Sequence, residues 1–188
     1  MLTAFGFSPD VSAGHARLEG QLRWSPQAPA PLATLSGSLH MQIESGIVGS
    51  ASDAAGSPFP LLSVPALLAG MHPSPAQAET GLRFTRLSAN YELRGGQAVT
   101  PALHFDGDAE ILVRGRVGLS SGDYDEEAWI LRGEERLPAA VRRLAPTPRV
   151  AALWLSLREL FGAPRSVEAR AALRLRGPWG DPIVTPME

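Results

Sequence analysis

Apolar and polar side chains alternate without a break in the stretch His15-Ala-Arg-Leu-Glu-Gly-Gln-Leu-Arg-Trp24. A period of two residues is the period of a β-strand, whose successive side chains point to opposite faces of a sheet. One face of this strand therefore carries only small or apolar residues, and the other carries charged and polar ones. The stretch Glu168 to Gly177 repeats the pattern near the other end of the sequence.

Other segments of the chain follow the same alternation and are separated by turn residues. A change of phase near Arg86 predicts a β-bulge, Gly95-Gly96 predicts a hairpin turn, and Asp106-Gly107 predicts a second tight turn. The predicted strands after the first are Ser36 to Val48, Gly81 to Leu93, Gln97 to Phe105, Ala109 to Leu119, Asp123 to Leu131 and Val167 to Gly177.

Three short apolar segments have helical character and lie between these strands. They are Phe59 to Gly70, which lies between the second and third predicted strands, and Arg136 to Ala145 and Arg149 to Phe161, which precede the last one. Short connections favour antiparallel pairing of the strands. We therefore predict a single α+β domain over residues 1–188, mainly β, with about seven antiparallel strands and two or three short helices.

Composition narrows the classes of function. The chain has 188 residues and a net charge of -2, and its 17 basic residues, all arginine, are not clustered, which argues against a nucleic-acid-binding protein. Without cysteine it can form neither disulfides nor zinc-thiolate sites. No stretch has the pattern of a signal peptide or of a transmembrane helix, so the chain is predicted to be soluble, and it is interpreted as a fragment of a longer protein.

No arrangement of residues predicts an enzyme, a metal site or a cofactor site. The four histidines are far apart in sequence, and phosphate-binding and serine-nucleophile motifs are absent. Asp106, Asp108 and Glu110 begin like a calcium loop, but Leu112 and Arg114 follow where ligands are needed. A cluster of acidic residues is typical of a solvated loop and consists of Asp123, Asp125, Glu126 and Glu127.

The ordered set of short motifs resembles one family. The set comprises Gly14 to Pro26, Leu35-Ser-Gly-Ser-Leu39, the leucine-rich Leu61 to Leu67, Gly81-Leu-Arg-Phe84, Gly95 to Thr100, Phe105 to Leu119 and Leu175 to Pro182. In this order they are similar to the C-terminal region of YhdP-like proteins, members of the AsmA-like superfamily of Gram-negative bacteria. No single motif is diagnostic, and the resemblance rests on their order along nearly the whole chain.

This resemblance implies a strongly curved sheet, a half-pipe with an apolar inner face. Such proteins are thought to carry phospholipid across the periplasm to the outer membrane, and an N-terminal helix absent from this chain would anchor them in the inner membrane. The chain would be the distal end of that bridge, with phospholipid as its ligand and an outer-membrane or other envelope protein as a candidate partner. No nucleic acid, metal or cofactor is implied.

The candidate functional residues are the apolar side chains of the strands. The predicted lining of a lipid groove is Leu18, Leu22, Trp24, Leu39, Met41, Ile43, Leu82, Phe84, Ile111, Val113, Leu173 and Leu175. Trp154, Phe161 and Trp179 are candidate contacts with a membrane surface. The same strand residues equally fit an ordinary core packed under the helices. The alternative function is therefore a structural or interaction domain that binds an envelope protein through its sheet edge.

Overall fold

The architecture is one open sheet of eight antiparallel strands in simple sequential order. The structure, a computed structural model, describes residues 11–48, 64, 67, 82–132 and 171–187. The strands are β1 (Val11–Arg23), β2 (Ser36–Val48), β3 (Leu82–Arg94), β4 (Gln97–Gly107), β5 (Glu110–Gly118), β6 (Asp123–Arg132), β7 (Ala171–Pro178) and β8 (Ile183–Pro186). Each pairs with the next along the chain, so every described neighbour in the sheet is also a neighbour in sequence.

The prediction of a mainly β, antiparallel protein is confirmed, and β8 is a strand that the sequence pattern did not predict. Of the predicted helix 59–70, the structure describes Val64 and Leu67, which are helical and fully buried. The predicted helices 136–145 and 149–161 lie outside the described residues. A short 3-10 helix at Pro31–Thr34 connects β1 to β2.

The predicted bulge and the first predicted hairpin turn are found, and the second predicted turn is displaced. The pairing of β3 with β4 changes register between Phe84 and Arg86, as the change of phase predicted. Gly95 and Gly96, with φ of 55° and 75°, form the hairpin turn between these strands, because a two-residue turn of this kind favours residues that tolerate positive φ. The turn predicted at Asp106-Gly107 is wrong by two residues, since β4 continues through Gly107.

Hydrogen bonds explain the displaced turn. The backbone N–H of Asp108 donates to the carbonyl of Arg83 at 2.9 Å, and the Asp108 carboxylate accepts from the N–H of Arg83 at 3.1 Å. These bonds keep the chain paired with β3 beyond Gly107. The reversal therefore falls at Asp108 and Ala109, between the ends of β4 and β5.

One face of the sheet, the inner face, forms a largely apolar core that extends from β2 to β7. The rings of Phe84 and Phe105 lie 5.6 Å apart at their centroids, and neighbouring strands extend this contact in both directions. Val64 and Leu67 belong to the same cluster. Burial of this face is the main contribution to stability that the described residues provide.

The opposite face, the outer face, has a smaller buried apolar cluster on β5, β6 and β7. Trp129 is fully buried there, and the registers place Leu112 and Ala172 beside it on the adjoining strands. The guanidinium of Arg114 lies over the Trp129 ring, 4.8 Å from its centroid. These three strands thus have buried residues on both faces, whereas residues 14–23 of β1 are exposed on both.

Candidate functional site

The predicted groove residues fall into two groups that differ in exposure. Buried in the single inner cluster are Met41, Ile43, Leu82, Phe84, Ile111, Val113, Leu173 and Leu175, each at most 5% exposed, with Leu39 partly buried against it. Leu18, Leu22 and Trp24 are 40%, 42% and 57% exposed. The inner face is therefore covered from β2 to β7 and open over β1.

The open group forms a stripe along the edge of the sheet. Leu18 pairs with Met41, and Leu22 with Gly37, so the stripe continues the inner face without a change of side. We call Leu18, Leu22 and the exposed Trp24, which directly follows β1, the β1 stripe. Because alternation places no charged residue on this side of β1 between residues 16 and 22, the stripe offers a wholly apolar margin to a ligand.

The backbone of β1 is also unpaired along the edge that faces away from β2. Among the described strands β1 pairs only with β2, and residues 14–23 are exposed throughout. The other edge strand, β8, has four residues, follows Pro182 and ends at Pro186. Short strands and prolines limit pairing at a sheet edge, so only β1 presents a long free ladder of donors and acceptors in the described sheet.

Of the three candidate membrane contacts, the structure describes Trp179. This residue is half-buried against the core, its backbone N–H donates to the carbonyl of Gly122 at 2.9 Å, and its indole N–H donates to the carbonyl of Asp123 at 3.3 Å. These bonds fix the segment after β7 against the turn between β5 and β6. Trp154 and Phe161 lie outside the described residues.

A polar row crosses the inner face, and the sequence interpretation did not identify it. Thr100 on β4 pairs with Gly115 on β5, and Gly115 pairs with Glu126 on β6. On β3, Glu92 pairs with Val99, so the preceding residue, Tyr91, lies beside Thr100. Tyr91, Thr100 and Glu126 are each 1% exposed. A carboxylate in such surroundings is unusual, because burial disfavours its charged form unless other groups compensate.

The phase of β6 was the signal that could have revealed Glu126. Tyr124, Ala128 and Ile130 alternate on the inner face, and Glu126 falls at the intervening position of the same face. The strand predicted over Asp123 to Leu131 is confirmed as β6, so the interpretation of its four acidic residues as a solvated loop is wrong. Asp123, Asp125 and Glu127 occupy its outer face.

Burial and charge affect the tyrosines of this row. Burial, followed by the negative charge of Glu126 and the proximity of Tyr124, raises the pKa of Tyr91 well above its ordinary value. Burial and then the charge of Glu126 also raise the pKa of Tyr124. Both phenols are therefore protonated at neutral pH and able to donate hydrogen bonds.

Glycine at position 115 makes room for the Glu126 side chain. The φ of Gly115 is 138°, and a Cβ there would lie 2.6 Å from the Cα of Glu126 and closer still to the carbonyl oxygen of Asp125. Only a residue without a side chain fits both the dihedral angle and the space. The polar row therefore depends on this glycine.

We expect Gly115→Ala to lower the free energy of unfolding by about 2 kcal/mol, through backbone strain and the clash with β6. Gly122→Ala is the matched control, because Gly122 also has a positive φ, 70°, but open space where a Cβ would lie. This control should cost about 1 kcal/mol. Chemical denaturation measures both, and equal losses would contradict the close approach of Glu126 to Gly115.

Ion pairs cover the outer face of β5, β6 and β7. Arg114 contacts Glu127 at 2.8 Å, Arg116 contacts Asp123 at 3.0 Å, and Asp125 accepts from both Arg174 at 3.1 Å and Arg176 at 3.0 Å. An open crevice of about 480 Å³ lies among them. Since each of these arginines already contacts a carboxylate, the crevice does not offer an unoccupied cationic site.

These contacts make stability depend on acid pH. The hydrogen bond from Arg176 and then that from Arg174 lower the pKa of Asp125, and the hydrogen bond from Arg116 lowers that of Asp123. A carboxyl whose pKa is lower in the folded state than in the unfolded state stabilises the fold when the pH is above its unfolded-state pKa. This contribution is lost as the pH falls through its folded-state pKa. Stability should therefore decline below about pH 4.

We expect Asp125→Asn to lower the free energy of unfolding at pH 7 by about 0.5 kcal/mol, a small value because Asp125 is about a third exposed, Arg176 is more than half exposed, and water screens the pair. At a pH below the folded pKa the variant and the original protein should be equally stable, since Asp125 is then protonated in both states. Denaturant titrations at the two pH values measure the difference. A loss that is the same at both pH values would contradict an electrostatic origin.

Within the described residues, no three histidine, aspartate or glutamate side chains are grouped to hold a metal, and no helix is long and apolar enough to span a membrane. Comparison of the chain with protein-family models, curated proteins and solved structures gave no match. Among the described residues, the inner face and its open margin at β1 are the features that suggest a function.

Proposed function

We propose that this chain is a non-enzymatic lipid-conduit module that holds phospholipid acyl chains against the open margin of its inner face at β1. The observation that carries the proposal is the β1 stripe, where Leu18 and Leu22 extend the buried inner face into an exposed margin and the exposed Trp24 follows directly after the strand. An apolar strip beside a closed core is a place where an acyl chain can leave water without displacing any described packing.

The energy of acyl chains in water is the physical reason for such a surface. A phospholipid has two chains with roughly 30 methylenes in total, and each exposed methylene costs about 0.8 kcal/mol. A carrier between membranes must therefore cover most of that length. A strand of 13 residues such as β1 extends for about 43 Å, at about 3.3 Å per residue, which exceeds the length of an acyl chain.

Curvature of the sheet into a half-pipe is part of the proposal. Its support is the series of register shifts, at Phe84/Arg86, Ala89/Glu92, Thr100/Leu103 and Glu110/Ile111, because bulges bend strands and increase their twist. The inner face would be concave, and the ion pairs of the outer face would keep the convex side in water.

We further propose that the module is the distal end of a YhdP-like bridge of the AsmA-like superfamily, in the periplasm between the inner and outer membranes. The ordered motifs and the open, mainly β sheet support this placement. On this proposal a remote N-terminal helix anchors the full-length protein in the inner membrane.

Native mass spectrometry of the chain, purified without detergent from a Gram-negative host, tests lipid binding. We expect adducts with the masses of one or more phospholipids, retained when the protein is folded and lost on acid denaturation. A matched preparation of a Leu18→Gln/Leu22→Gln variant should carry fewer adducts. Lipid-free protein in both preparations would contradict the conduit.

A second candidate function rests on the edge of β1 rather than on its apolar side. The long exposed ladder of β1 is suited to pairing with a strand of an envelope protein, in which backbone hydrogen bonds supply the affinity and alternating side chains supply the specificity. This interaction does not require lipid. The two functions are therefore separable by substitutions on the two faces of β1.

A further inference from the structure

The charged residues of β1 are arranged so that the strand complements itself. On the outer face the Nε of Arg17 donates to the Oε1 of Glu19 at 2.6 Å, and both side chains are more than half exposed. Opposite them on β2 lie Gln42 and His40, so β2 gives Arg17 no carboxylate and gives Glu19 no arginine. Both charged side chains therefore remain exposed on the edge strand, where a further strand could contact them.

If two copies of β1 pair as antiparallel strands about a two-fold axis, each residue lies opposite a residue of the other copy whose side chain is on the same face of the sheet. A register centred on Leu18 sets Arg17 of each copy opposite Glu19 of the other, and it does so twice. Two other same-face registers overlap at least eleven of the 13 residues of β1, and they are centred on Ala16 and on Arg17. The first sets His15 opposite Arg17, and the second sets Arg17 opposite itself and His15 opposite Glu19, so neither sets Glu19 opposite an arginine.

The inner face of the same register is also complementary. Leu18 meets Leu18 of the second copy, and Ala16 meets Gly20, so small residues flank a central leucine pair. Leu18 is 40% exposed in the single chain, so the two leucines can touch at the axis while their remaining exposed surface stays on the same apolar face. Large side chains therefore meet only at the centre, which leaves the backbones free to approach to hydrogen-bonding distance.

We propose that the β1 edge pairs with the β1 edge of a second copy of this chain, antiparallel and centred on Leu18. The result is a two-fold symmetric dimer with one continuous sheet of sixteen strands, twice the eight of a single chain. Its two inner faces join across the axis, and the two β1 stripes lie side by side as one apolar band. The inference rests on the edge interaction proposed above, names its partner, and does not depend on lipid binding.

Analytical ultracentrifugation over a concentration series tests the proposal with four variants of the full chain. We expect the original protein to dimerise, and Arg17→Glu or Glu19→Arg to weaken the dimer about tenfold, because each sets like charges opposite each other twice. The double variant Arg17→Glu/Glu19→Arg should restore it. Arg23→Glu, which changes the net charge as Arg17→Glu does but has no charged partner in this register, should leave it unchanged.

Mixing the two single variants gives a second readout. Arg17→Glu presents two glutamates and Glu19→Arg presents two arginines, so the mixture should form a heterodimer tighter than either homodimer. A monomeric original protein, a dimer indifferent to both single substitutions, or a double variant that stays weak would each overturn the proposal. Phospholipid adducts of Arg17→Glu in native mass spectrometry should be unchanged, so failure of the dimer and failure of lipid binding are distinguishable.

Discussion

Replacing Phe105 by alanine is expected to lower the free energy of unfolding by about 3–5 kcal/mol, one of the largest effects of any single substitution in the described core. Phe105 is fully buried, pairs with Leu87 and Ile111 on the flanking strands, and contacts the ring of Phe84. Truncation removes apolar contacts on both sides and leaves a cavity in a sheet whose neighbouring backbones are fixed by hydrogen bonds. Denaturant titration followed by tryptophan fluorescence or circular dichroism measures the loss.

Val99→Ala on the same strand is the matched control. Val99 is 40% exposed and lies on the outer face, so its truncation should change stability by less than about 1 kcal/mol. Similar losses for the two variants would mean that the inner face is not the packed core of the protein.

The second large effect concerns lipid. We expect Leu18→Glu/Leu22→Glu to weaken phospholipid binding about a hundredfold, equivalent to roughly 2.7 kcal/mol. The substitution removes the apolar contact that the two exposed leucines offer, and an acyl chain lying there would have to displace water from two carboxylates. Binding is measured by the transfer of a fluorescent phospholipid from vesicles to the protein.

Two equal charges on the other face of the sheet control for the change in net charge. Gln21→Glu/Gln42→Glu adds two carboxylates to the outer face of β1 and β2, where Gln21 and Gln42 alternate with the inner residues. This variant should bind phospholipid as the original protein does. Equal loss in both double variants would point to a general electrostatic effect on lipid rather than to the β1 stripe.

Strands that alternate strictly could be predicted from the sequence almost residue by residue. The bounds of β2 match the prediction, and the bulge near Arg86 followed from the change of phase, because periodicity is a direct consequence of which face is buried. β8 escaped prediction since four residues between prolines carry too short a pattern.

The candidate site could be predicted only in part, for a different reason. Alternation assigns side chains to a face, but it does not say whether that face is covered, so Met41 and Leu18 look alike in sequence although they are 0% and 40% exposed. The acidic neighbours of Glu126 suggest a solvated loop, whereas its phase with Tyr124 and Ala128 along β6 places it on the inner face. The displaced turn at Asp108 depended on bonds to Arg83, 25 residues away in sequence.

Photo-crosslinking along β1 tests the central claim, that phospholipid lies on the apolar side of this strand. A benzophenone amino acid is placed singly at Arg17, Leu18, Gln21 and Leu22, and the folded protein is irradiated with phospholipid vesicles. We expect lipid adducts at Leu18 and Leu22 and none above background at Arg17 and Gln21, an alternation that follows the faces of the strand. Adducts of equal yield at all four positions, or at none, would contradict the account.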